Sequence, residues 1–228
     1  MKRKDKLKAI LNSYNVIDRF FNKDILEKLY LEKRTILATI NGKNESTYFL
    51  SLELYPNYDK EGELCLRFLD VNENILASVT FSFLNSSNEN LVLLIGGIQG
   101  AHKDIDKEYI KKVTKDIYGI FPKKILIEAL YMIEKSLGLN IKKLSVGNEM
   151  HVYRAQRYIR KRQILSDYDS FLLSLGAEKN QNNIWQLPAS LEKKDLESVP
   201  SKKRSQYLKK INLTENIENQ IHQSINYI

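Results

Sequence analysis

Residues 147–154 read GNEMHVYR and hold the best-placed histidine of the chain. An imidazole titrates near neutrality, so His151 could take the proton of an attacking amine or hydroxyl as a general base. Glu149, two positions earlier, could orient it or share that role. The plainer alternative is a histidine that caps a helix or packs structurally. A second stretch, NLVLLIGGIQGAHKD at residues 90–104, runs from five apolar residues into Gly96, Gly97 and Gly100, with Gln99 among them. Missing Cβ atoms allow close approach to the backbone, so residues 95–100 (Ile95, Gly96, Gly97, Ile98, Gln99 and Gly100) are candidates to dock an extended ligand. A bulge or a tight turn is the competing explanation.

Two further groups point to anions. Lys123 and Lys124 follow Pro122, in what should be the first turn of a helix. Free N–H groups and the helix dipole favour anions there, so lysines need an outside reason such as a phosphate. Arg154, Arg157 and Arg160 or Lys161 recur at three- to four-residue spacing and would share a helix face. They suit phosphates of a nucleotide, a lipid headgroup or nucleic acid, and the run KKRSQYLKK at residues 202–210 adds five more basic residues. Both groups are also compatible with ordinary solvated faces. His102 and His222 have weaker cases. No two histidines have ligand spacing and Cys65 is the only cysteine, so no zinc site and no intrachain disulfide are expected. Cys65 lies in a strand pattern, as a core thiol would.

The elements that must position these groups follow from periodicity. Residues 6–21 place Leu7, Ile10, Leu11, Tyr14, Ile17 and Phe21 on one helical face. Asp24 can cap a second helix. YFLSLELY, GELCLRFLD and ILASVTFSFL alternate as strands, with a hairpin at Asp70 and the Asn-Glu-Asn after Val71. LVLLI is continuous, as in a strand covered on both faces. IDKEYIKKVTKDIYG and PKKILIEALYMIEKSLG read as helices, the latter opened by Pro122 and stopped by Gly138. IKKLSVG is a short strand, DYDSFLLSLG a helix and NIWQLP a closing strand, and the tail from Ser190 is helical and polar. Strand, helix, strand implies a right-handed crossover with parallel pairing. The fold class is mixed α/β (α+β), a single sheet with flanking helices. An N-terminal helical segment, residues 1–40, should pack on the main domain, residues 41–228.

The 228 residues are 43% hydrophobic, enough for a sizeable core. The net charge of +8 is concentrated in residues 2–8 and 142–162, which fits a local anion site better than a general solubility device. No apolar run reaches the roughly 20 residues of a membrane span, and the basic N-terminus is interrupted at helical spacing, unlike a signal peptide. The expectation is a soluble, unprocessed, cytoplasmic chain.

The blocks EGELCLRF, FSF, IGGIQG, VTKDIYGIFPKKILIEAL, SVGNEMHVYR, DYDSFLLSLGA, WQLP and KKRSQYLKK, in this order over about residues 45–220, resemble those of the VirK/YbjX family of bacterial proteins. That resemblance implies links to virulence, surface-protein localisation and resistance to cationic antimicrobial peptides, and it carries no biochemical activity. The order from Gly62 onward is also similar to the Gcn5-related N-acyltransferase fold. There, one strand splays from the next and takes the pantetheine arm of an acyl-CoA along its backbone, and the following helix N-terminus holds the pyrophosphate. LVLLIGGIQG would be that strand and PKKILIEALYMIEKSLG that helix. In place of a glycine-rich phosphate loop, roughly twenty residues intervene and YGIFPKK carries two lysines.

The resemblance implies acyl transfer from CoA, or a similar carrier thioester, to an amine or hydroxyl. Ile95 to Gly100 would dock the donor and Lys123 and Lys124 its phosphates. His151 would be base with Glu149, and Tyr153 would protonate the leaving thiolate. The acceptor would be a protein, lipid or glycan, with an anionic membrane surface, at the periphery of the inner membrane, as a further partner. A non-catalytic binding or accessory protein on the same fold is the alternative, and nucleic-acid binding ranks third.

Overall fold

The computed structural model describes residues 3–54, 61–85, 91–151, 167–192 and 195–226. Two helices, α1 (Arg3–Phe20) and α2 (Lys23–Leu31), lead into four antiparallel strands: β1 (Arg34–Asn41), β2 (Thr47–Leu54), β3 (Leu64–Asp70) and β4 (Ile75–Asn85). β5 (Leu91–Gly100) follows, then α3 (Lys107–Asp116), α4 (Pro122–Ser136) and β6 (Lys142–Val146). The chain ends with α5 (Tyr168–Ser174), β7 (Glu178–Lys179), β8 (Ile184–Gln186) and α6 (Ser201–Asn226). The strands among the described residues form one eight-stranded sheet in the order β1-β2-β3-β4-β5-β6-β8-β7. The pairing β5/β6 is parallel and the rest antiparallel, so the expected parallel pairing and single mixed sheet are present.

Local chemistry explains most boundaries. Pro122 opens α4 and Gly138, at φ +64°, follows it in the left-handed region. Asp106 caps α3 by accepting the Glu108 N–H. At the β3/β4 hairpin the Asp70 carboxylate accepts the backbone N–H groups of Asn72 and Asn74. Asn22, rather than Asp24, caps α2 through the Ile25 N–H, and Asp24 sits in the first turn.

The apolar face of α1 is rotated from the expected one. Ala9, Ser13, Val16, Ile17 and Phe21 are buried, whereas Leu7 and Leu11 are exposed. The buried Ser13 hydroxyl takes the Phe83 N–H of β4, so a polar residue occupies the inward position. The helical segment also ends before residue 40, because residues 34–41 are a strand. A bulge there puts Leu37 and Ala38 both inside, which breaks the two-residue period. This outer strand is shielded by α6. Gln220 bonds both backbone groups of Thr39, and Ser224 donates to the Leu37 carbonyl.

The two faces of the sheet differ. Leu50, Leu52, Leu54, Leu64, Leu66, Phe68, Ala77, Val79, Phe81, Ile95 and Ile98 line one side with α4 in the core. Through β2 to β5 the opposite side carries Ser51, Glu53, Cys65, Arg67, Ser78, Thr80 and Gln99, as the register requires. Among the described residues, no helix is long and apolar enough to cross a membrane.

Candidate functional site

The parallel strands part in the middle of β5. Pairing with β6 ends at Ile95 and Ser145, while pairing with β4 continues to Gly100. β6 itself ends one residue later, at Val146, and its other edge pairs with β8 from Leu144 to Val146. Gly147, directly after the strand, is closely packed. A Cβ there would lie 2.4 Å from Asp169 Oδ1 and 2.5 Å from Trp185 Nε1. Asp169 gathers the corner by accepting the Asn148 N–H and the Trp185 indole N–H.

Gly96 and Gly97 serve a contact within the chain. Residue 96 is the extra residue of a bulge, since Thr80 faces Gly97 and Phe81 faces Ile95. Gly96 and Gly97 thereby both face residue 61. A Cβ at Gly96 would stand 1.8 Å from the Glu61 carbonyl oxygen, and one at Gly97 1.8 Å from its carboxylate Oε2. Neither glycine has a positive φ, so the requirement is for space. The chain before β3 also crosses close to the backbone of β4. A Cβ on Gly62 would lie 2.6 Å from the Phe81 carbonyl oxygen. Glu63 N–H anchors the crossing on that carbonyl and on the Ser82 hydroxyl.

Glu61 brings a carboxylate to the parting of the strands. The Gln99 side-chain amide donates to it at 3.1 Å, and His151 Nε2 lies 3.4 Å from its Oε1. Tyr168 Oη, on the first residue of α5, lies 3.3 Å from the same Nε2. The imidazole is 1% and the carboxylate 0% exposed. When Nε2–H points to Glu61, Nδ1 carries the ring lone pair. A carboxylate that fixes an imidazole tautomer is the arrangement general-base chemistry uses.

Glu149 takes no part in this cluster. Its carboxylate is 69% exposed, with the Lys179 amine 3.8 Å away. Lys123 stands at the other side of the parting, its Cε near Gly100 and its amine 5.8 Å from the Phe171 ring centroid. Burial pushes its pKa down and Asp167 opposes that shift. Phe121, the residue before α4, gives that helix no side-chain cap. His102 is on the surface with Asp104, and His222 is beside Asn226 on α6. Tyr153, Arg154 and Arg157 lie outside the described residues.

Of the residues singled out in the sequence, His151, Gln99 and Gly97 lie together around Glu61, and Lys123 lies near Gly100. Tyr168 stands out only as the tyrosine of a helix that resembles the acyltransferase ending, and Glu61 is not singled out. The one available signal was the Glu-Gly-Glu at residues 61–63, a glycine just before an alternating strand where a tight crossing needs one.

Comparison with known proteins agrees with the sequence blocks. Residues 1–223 match the family described as protein of unknown function, DUF535. The Escherichia coli protein YbjX is 30% identical over 223 residues, covering 97% of this chain and 67% of the relative. A Haemophilus influenzae protein is 26% identical over 221 residues, covering 96% of this chain and 71% of the relative. The chain therefore belongs to the DUF535 family, with YbjX of Escherichia coli among its relatives.

Proposed function

We propose that the protein is an acyltransferase of the Gcn5-related type, taking an acyl group from CoA or a carrier thioester. The observation that carries this is the parting of β5 from β6 after Ile95. The donor arm would lie along the β5 edge at residues 97–100. Its phosphates would meet the N-terminus of α4 and Lys123, with Lys124 beside it, where an anion offsets the cost of burying the lysine. The crossover through α4, and a helix followed by a last strand pair in β7 and β8, support the same architecture. α3, inserted between β5 and α4, is a departure from it, and lysine charge replaces a glycine-rich loop.

In the reaction His151, held by Glu61, accepts the proton of the acceptor N–H or O–H. The nitrogen or oxygen forms its bond to the thioester carbonyl carbon, the C–S bond breaks and the thiolate leaves. Tyr168 stands beside His151 as a proton donor to that thiolate, and Tyr153 is the other candidate for that step. Arg154 and Arg157 remain proposed contacts for donor or membrane phosphates.

A second reading is favoured by the closure of the cluster. With the His151 ring and the Glu61 carboxylate both sealed, the same fold would serve as a binding or accessory protein. Calorimetry with acetyl-CoA and longer acyl-CoAs decides between them. Saturable heat, with acyl transfer lost in His151→Ala and binding kept, supports the enzyme. No heat and no thermal shift with any donor supports the accessory protein.

A further inference from the structure

The first half of α6 is a surface that the acyl-transfer proposal does not use. The helix runs for 26 residues, but its buried residues, Ile217, Ile221 and Ile225, all lie in the second half. Among residues 201–216 none is buried, although Tyr207, Ile211 and Leu213 are half-buried. The same stretch carries Lys202, Lys203, Arg204, Lys209 and Lys210, and no acid before Glu215. Lys202, Lys203, Arg204 and Lys209 are exposed. Positions seven apart lie about two turns apart on one side of a helix, so Lys202 and Lys209 form one stripe and Lys203 and Lys210 the next. Pairs of opposite charge, which would support so polar a helix, are absent within its first three turns.

Contacts with the body fix this half beside another cation and apolar groups. The Gln206 amide donates to the Tyr118 carbonyl at 3.5 Å, which brings the second turn of α6 onto the loop between α3 and α4. Lys115, exposed in the last turn of α3, precedes Tyr118 by three residues. Phe121, 44% exposed, follows it by three. Arg204 donates to the carbonyls of Glu197 and Val199, which holds the turn Leu196–Ser198 against the start of the helix. Asp195, one of two acids there, accepts the Glu197 N–H as the cap of that turn. Leu196 is exposed, and so is Leu208, one turn after Arg204 and next to Lys209. Exposed cations thus alternate with three large exposed apolar side chains, Leu196, Leu208 and Phe121.

A partner that fits this surface carries many anions and an apolar layer just beneath them. The phosphates of RNA or DNA answer only the first requirement, because an exposed leucine gains nothing from a phosphodiester backbone. An anionic bilayer answers both. Its headgroups attract the basic side chains, and its interface accepts Leu196, Leu208 and Phe121. We infer that residues 201–216, flanked by Lys115, Leu196 and Phe121, dock on the surface of an anionic lipid bilayer. The inference does not rest on acyl transfer, since it uses none of the groups around Glu61 and His151.

The test is co-sedimentation of the full chain with vesicles of phosphatidylcholine alone and of phosphatidylcholine mixed with phosphatidylglycerol, at low and physiological salt. Binding to the mixed vesicles only, weakened by salt, is the expected result. Lys202→Gln, Lys203→Gln and Lys209→Gln together should weaken it about a hundredfold, at about fivefold for each lysine lost. Leu208→Ser alone should weaken it about fivefold at unchanged Tm. The control is Lys23→Gln with Lys28→Gln on α2. Asn22, before that helix, donates to the Ser224 carbonyl, about 24 Å along α6 from Leu208, so the control should stay within about twofold. Equal binding to the neutral vesicles, unchanged binding in the triple variant, an equal loss in the α2 control, or no vesicle binding at low salt overturns the inference. So does salt-sensitive retardation of RNA without vesicle binding. Should the triple variant not fold, the three lysine variants made singly carry the same comparison.

Discussion

Replacing Gly96 with alanine should destabilise the protein, although its backbone conformation accepts any residue. The new Cβ would stand 1.8 Å from the Glu61 carbonyl oxygen and 2.8 Å from its carbonyl carbon. These are main-chain atoms, tied down through Gly62 over β4, so the crossing segment must lift. Forced overpacking of this kind costs about 3 kcal/mol at the upper end of its usual range. Reduced freedom of the unfolded chain returns about 0.5–1 kcal/mol. The net loss of about 2–2.5 kcal/mol corresponds to a Tm lower by about 4–10 °C in a chain of this size.

Gly97→Ala differs in kind, because its Cβ would meet the Glu61 carboxylate, the movable end of a side chain. It should displace that carboxylate from Gln99 and His151, and Glu61→Ala should relieve it. The same Glu61→Ala cannot relieve Gly96→Ala, since the backbone carbonyl stays. Gly100→Ala is the control. Its Cβ would make an ordinary 3.5 Å contact with Lys123, and its effect should stay within about 0.5 kcal/mol. Urea denaturation and thermal melts of the four variants and the two doubles read this directly. A neutral Gly96→Ala, or equal rescue of both glycine variants by Glu61→Ala, would refute the placement of residue 61.

Four other outcomes follow from the same structure. Lys143 is buried with its amine on Glu134 and 4.4 Å from the Tyr131 ring, so Lys143→Met alone should cost about 3–5 kcal/mol, while Lys143→Met with Glu134→Leu should be close to neutral in urea melts. Burial pushes the Cys65 thiol up to about 11, so iodoacetamide at pH 8 should modify it only after unfolding. Burial works against the charged form of Asp70, but hydrogen bonds from Asn74, Tyr109 and the Asn72 and Asn74 N–H groups outweigh it and hold its pKa below the ordinary 3.8. Its contribution is therefore complete above that value and is lost as pH falls through the folded pKa. Asp70→Asn should flatten the loss of stability below about pH 4. Glu61→Gln should keep donor binding in calorimetry while lowering turnover, because it leaves His151 without its carboxylate.

What was legible in the sequence was local. Pro122 and Gly138 bracket α4, and the Asp70 side chain announces the hairpin, because each acts on backbone within a few residues of itself. The face of α1 was misread because Ser13 turns its hydroxyl to a strand seventy positions on, and a hydroxyl carries no hydrophobic signal. The first strand was hidden by its bulge. At the site, His151 was identified by its chemistry, but its sequence neighbour Glu149 was chosen as partner. The carboxylate it meets is Glu61, brought there by a chain crossing that only Gly62, Gly96 and Gly97 permit. The glycine-rich stretch suggested close approach to the backbone, and at Gly96 and Gly97 the chain's own residue 61 makes such an approach.

The central claim, that the β5 edge freed by β6 receives a thioester arm, is tested most directly by hydrogen exchange with and without acetyl-CoA. The account predicts slower exchange of the amides at residues 97–100, together with those opening α4. Unchanged exchange at residues 97–100 in the presence of saturating acetyl-CoA and a longer acyl-CoA would contradict it.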